Sequence, residues 1–127
     1  MKWAAMVAVA LLVVVALFQA ALALGAPWGS AAWGGRHQGR LPGHLRIASG
    51  LAAIGIYPLI AILLLDAVGL FQAPWLPATG ESAIWVLTGA FTLGAVANFV
   101  SRSPRERYWG FAALAIAVCC FVIARKI

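Results

Sequence analysis

Residues 3–24 read WAAMVAVALLVVVALFQAALAL, a run with no charged side chain and a single amide, Gln19. A helix needs about 20 apolar residues, within a range of about 17–25, to cross the hydrocarbon of a bilayer. This run meets that length. Strands of a membrane barrel alternate in polarity and stop after about ten residues. Lipid offers no hydrogen-bond partner to a backbone amide, so an uninterrupted apolar run of this length is expected to be helical. Lys2, the apolar stretch Val7–Leu17 and Ala21-Leu22-Ala23 also have the outline of a secretory signal peptide. The apolar run continues to Leu24 with no polar stretch ahead of the small residues, so a retained helix is the expectation.

Three further apolar segments follow, at about 47–65, 83–100 and 108–124. Breakers divide them: Gly25 and Pro27 after the first, Pro42 and Gly43 before the second, Pro74 and Pro77 between second and third, Pro104 between third and fourth. Ser103 before Pro104, Arg105 and Glu106 has the form of a helix start. The expected architecture is all-α: one domain over residues 1–127, a four-helix bundle embedded in the membrane. Composition supports this. The chain is 65% hydrophobic and 9% charged, against about 45–50% and about 25% in soluble domains. A water-soluble fold of 127 residues could not hide that much apolar surface. Disorder requires low hydrophobicity. The 2 Cys exclude a disulfide scaffold, and the 13 Gly have no collagen period.

Trp3, Trp28, Trp33, Trp75, Trp85 and Trp109 all fall near segment ends, as an interfacial aromatic belt requires. Tyr57-Pro58 falls mid-span and predicts a kink, with Tyr57 facing protein. Ala90, Gly94 and Asn98 recur every four residues, as do Ala113 and Ala117; such faces let helix backbones approach closely. Leu17-Phe18-Gln19-Ala20 returns as Leu70-Phe71-Gln72-Ala73, a match that a biased composition produces by chance. The coarser order of helix, basic connection, helix, stated twice, would suit a duplicated hairpin.

The net charge of +6 comes from residues at the ends and in the connections. No basic run alternates with stacking aromatics, so topology signalling and lipid contact are expected and nucleic acid is not. Arg36, Arg40 and Arg46, with Arg102, Arg105 and Arg107, flank the first and third connections (25–46 and 101–107); Lys2, Arg125 and Lys126 lie on the other side. The positive-inside rule then puts both basic connections in the cytoplasm and both termini outside.

The first connection is the most unusual stretch. It is long, rich in Gly, and holds Trp28, Trp33 and both histidines, His37 and His44. Pro27–Trp33 has the composition of a short interfacial helix. The six arginines are candidates for an anionic headgroup or phosphate, which guanidinium binds by forked hydrogen bonds. Glu106, the one carboxylate on that side, is expected to pair with an arginine and clamp the two connections. Gln19 and Asn98 share a depth, and with His37, His44, Ser101 and Glu106 they are candidates for a polar pocket. Asp66, at the far end of the second segment, is the candidate for proton coupling. No metal is expected, since His37 and His44 lack further ligands nearby, and no cofactor is implied. Cys119-Cys120 is not a redox motif and reads as small apolar packing.

Gly25-Ala26-Pro27-Trp28-Gly29, Trp33-Gly34-Gly35, Leu41-Pro42, Leu45-Arg46 and later Asn98, Ser101-Arg102-Ser103 and Glu106-Arg107 resemble strings in a group of small four-helix bacterial membrane proteins. The resemblance implies a multi-pass protein of a bacterial inner membrane. It brings no activity with it. Three functional readings follow. The first is a lipid- or partner-binding bundle or accessory subunit, alone or as a homo-oligomer, without catalysis of its own. The second is a small, dimeric transporter coupled through Asp66 or the arginines. The third is an intramembrane enzyme on a lipophilic anion, with Arg36, Arg40, Arg102 and Arg105 as anion binders and His37 or His44 moving a proton.

Overall fold

The computed structural model describes residues 1–72, 74–76 and 80–127. Pro77, and Ala73 of the repeated tetrapeptide, lie outside the described residues. Four long helices carry the fold: α1 (Lys2–Ala23), α2 (Gly43–Ala67), α3 (Glu81–Phe99) and α4 (Pro104–Lys126). Each is long and apolar enough to cross a membrane. Among the described residues the only β pairing is an isolated bridge between Trp28 and Gly39. The protein is an all-α, multi-pass bundle.

Two helices begin before their apolar segments. α2 begins at Gly43, so His44 and Arg46 belong to its first turn and not to the connection. α4 begins at Pro104, so Arg105, Glu106 and Arg107 are helical. Proline at the first helical position explains this start, because its missing N–H would be unsatisfied there in any case. Ser103 is the residue before it, but its hydroxyl does not cap α4; it donates to the Ser30 carbonyl in the first connection. The distortion expected at Tyr57-Pro58 is a π turn over Ala52–Ile56, immediately ahead of the proline. Proline removes one rung of the α ladder and crowds the carbonyl four residues back, and a wider turn absorbs both effects. The interfacial helix expected at Pro27–Trp33 is instead two short 3-10 turns, Gly29–Ala31 and Trp33–Gly35.

The larger core fills one half of the bundle, and a smaller cluster of Leu22, Ala32 and Leu41 packs with Phe18 and Leu45 under the first connection. Ala4, Ala5, Ala8 and Leu12 of α1 pack with Ile116, Cys119, Cys120 and Ile123 of α4 and with Leu64 of α2. In this antiparallel arrangement those residues share the end occupied by the termini and the second connection. Alanines one turn apart allow the close backbone approach on which helix association in lipid depends. Both thiols are free and buried in this core. The other half, toward the first and third connections, is looser. α3 packs along α4 and scarcely touches α1 or α2. Ala90, Gly94, Asn98 and Ala113, expected to seat neighbouring helices, line an open space between the two helix pairs. Small side chains with no ridge opposite them leave a void.

The outer surface is apolar. Ile54, Leu17, Leu93 and Phe111 are large and exposed, Ile54 by 80%. A patch of that extent is unusual for a monomer in water. It is the ordinary surface of a bundle solvated by lipid.

Candidate functional site

The first and third connections meet at one end of the bundle, and the contact is built on Trp33-Gly34-Gly35. All three residues have positive φ: 53° at Trp33, 83° at Gly34 and 73° at Gly35. Glycine reaches this region freely; tryptophan does so at a cost of about 1–2 kcal/mol. Two bonds hold the turn. The Trp33 indole N–H donates to Ser49 Oγ of α2 at 2.9 Å. The Gly34 N–H donates to Glu106 Oε2 of α4 at 2.8 Å. A hydrogen bond to a charged group contributes about 1.5–3 kcal/mol, enough to offset the strain at Trp33.

Glu106 is 6% exposed, and among the described residues it forms no ion pair. The expected arginine clamp is therefore absent: a backbone N–H takes the arginine's place. The physical reason is position. Glu106 sits in the first turn of α4, facing the bundle, whereas Arg102, Arg105 and Arg107 are exposed.

The six candidate arginines divide into two sets. Three serve the backbone. Arg40 Nε donates to the Gly25 carbonyl at 3.0 Å and Arg46 Nε to the Ala23 carbonyl at 3.1 Å, both at the C-terminal end of α1. Arg107 Nε donates to the Ser101 carbonyl at 2.7 Å, just past α3. Cations at helix C-termini satisfy orphan carbonyls and offset the negative end of the dipole. The other three, Arg36, Arg102 and Arg105, line one cleft of about 860 Å³ between the two connections, together with Ser30, Gln38 and Ser103. Gly34 and Gly35 form its inner wall.

A second, half-open space of about 390 Å³ lies between the helices. Its polar end holds Gln19, Asn98 and Glu106. Gln19 Oε1 is buried with no hydrogen-bond partner among the described residues. Its deeper walls are aromatic and aliphatic, with Tyr57 among them as the sequence predicts. From Glu106 to Ile116 the cavity follows α4 for about 15 Å at 1.5 Å per residue, half of a hydrocarbon thickness of about 30 Å.

The remaining candidates stand apart. Ser101 accepts from the Ser103 N–H at 3.2 Å and shapes the turn into α4. His37 and His44 line neither space; His44 is exposed on α2, and His37 Nδ1 is buried without a partner among the described residues. Asp66 lies in the last turn of α2, at the opposite end of the bundle. Trp33, Tyr57 and Trp109, which give the cavity its aromatic wall, were not grouped by sequence reasoning, because they come from three different segments. No family model, characterised protein or solved structure matches this chain.

Proposed function

We propose that this chain is a small lipid-binding protein of a bacterial inner membrane, with both basic connections on the cytoplasmic side. The reading assigns the cleft of Arg36, Arg102 and Arg105 to the phosphate of an anionic lipid headgroup. The observation that supports it is the division among the arginines. Three of the six are occupied by backbone carbonyls, and the three left over converge on one cleft from the first connection, the third connection and the first turn of α4. Ser30, Gln38 and Ser103 add neutral polar groups at its edge. Guanidinium groups from two sides match the tetrahedral oxygens of a phosphate, and the site stands where headgroups lie.

The test is native mass spectrometry of detergent-released protein with defined lipids added. The triple variant Arg36→Gln, Arg102→Gln, Arg105→Gln is expected to lose at least tenfold in retention of phosphatidylglycerol and to change little toward phosphatidylcholine. Equal retention of both lipids by the native protein would defeat the proposal. Arg40→Gln and Arg46→Gln serve as the contrast. Each is expected to lower stability by about 1 kcal/mol through a lost helix-end bond, read as a lower melting temperature, while leaving phosphatidylglycerol retention within twofold of native.

A further inference from the structure

The space lined by Gln19, Asn98 and Glu106 is separate from the arginine cleft, and its chemistry has the opposite sign. Glu106 Oε2 is taken by the Gly34 N–H, while Oε1 has no protein partner among the described residues. Gln19 Oε1 is buried and unbonded in the same cavity. A buried acceptor without a donor is costly, so Gln19 Oε1 calls for a ligand that donates, and the Glu106 carboxylate is a second acceptor lining the same space. Trp33, Tyr57 and Trp109 stand along the wall. Aromatic faces carry negative potential and attract cations, most strongly in desolvated places. Below this polar end the lining is apolar, down to Ile116. The volume of about 390 Å³ lies within the range of small-molecule sites, about 300–1,000 Å³.

We infer that this cavity binds a lipophilic ammonium compound, its charged nitrogen bonded to Glu106 and Gln19 and its apolar body lying toward Ile116. An ammonium group supplies the donors that both acceptors lack, carries the charge that the carboxylate and the aromatic walls favour, and accepts nothing. An anion would meet the unpaired oxygens and be repelled. A hydrocarbon tail alone would leave Gln19 Oε1 unsatisfied.

The experiment uses the full chain in nanodiscs of phosphatidylcholine and phosphatidylglycerol. Binding of adamantan-1-amine is followed through the tryptophan fluorescence, with adamantan-1-ol as the neutral probe of the same shape. The native protein is expected to bind the amine saturably and at least tenfold more tightly than the alcohol. Glu106→Gln keeps an oxygen for the Gly34 N–H but loses the charge, and it is expected to abolish that preference. Gln19→Met leaves the 33–35 turn untouched and is expected to weaken the amine about fivefold; it carries the test if the Glu106 variant misfolds. Absence of saturable binding, equal affinity for amine and alcohol, or unchanged amine affinity in a folded variant would overturn the inference. Phosphatidylethanolamine added to the discs separates two sources of the same chemistry. Competition with the amine assigns the site to a lipid ammonium headgroup, and lack of competition assigns it to a freely diffusing amine. The arginine triple variant leaves this binding intact, so the two proposals fail independently.

Discussion

Leu93→Arg is expected to remove the protein from the membrane fraction, or to leave α3 uninserted, whereas Leu93→Phe passes unnoticed. Leu93 is 72% exposed and makes its home near the middle of α3 (Glu81–Phe99). In a water-soluble protein, arginine at so exposed a position would be harmless or would improve solubility. In a lipid-solvated helix it costs about 2.5–3.5 kcal/mol at the centre of the span, with the favourable leucine contribution lost as well. α3 is the most vulnerable of the four helices, because its mean hydropathy of 1.4 is the lowest. Carbonate extraction of membranes, with a glycosylation site placed after α3, reads the result. A Leu93→Arg protein that inserts and extracts like the native one would mean that something other than lipid covers this face.

The second large effect is expected at Gly35. Its φ of +73° disfavours any side chain, and a Cβ placed there would collide with Ser103 Cβ. Gly35→Ala combines about 1–2 kcal/mol for the left-handed backbone with about 1–3 kcal/mol for overpacking. Gly39 provides the internal comparison. Its φ is +74°, but nothing lies within 4 Å of the corresponding Cβ, so Gly39→Ala bears the backbone cost alone. The drop in melting temperature, measured by circular dichroism in detergent, should be at least twice as large for Gly35→Ala. Equal drops would mean that the seam between the first and third connections yields freely. The comparison also probes the arginine cleft, since Gly35 and Ser103 both belong to its wall.

Much of the helical architecture is legible in the sequence because lipid removes alternatives. Each apolar segment had to be a helix, and the tryptophans and prolines marked its ends to within a few residues. The larger miss is the start of α2: His44 and Arg46 are polar, so hydropathy assigned them to the connection, although the backbone is helical through them. At α4 the apolar run also begins late, but the Ser103-Pro104 signal marked the true start. Composition assigned Pro27–Trp33 to a helix, but extended backbone at Ala32 and positive φ at Trp33 and Gly34 break the stretch into two short turns.

The candidate site was legible only as a set of residue types. Six arginines, one carboxylate and two amides near one end of the bundle could be named from the sequence, but not their partners. Those were decided by the tertiary structure, because hydrogen bonding is directional and reaches about 3 Å. Which carbonyl an arginine meets, or which N–H a glutamate finds, depends on how the connections cross. Thus Arg40 and Arg46 went to the end of α1, Arg36 joined Arg102 and Arg105, and Glu106 turned to Gly34. The chain alone determined that four helices cross an apolar medium, since solvation depends on how much surface each segment exposes and not on its neighbours. Where the bundle closes into a core and where it stays open was settled by the folded arrangement. Packing is a property of facing surfaces, and the alanines of α1 found partners in α4 while Ala90 and Gly94 did not.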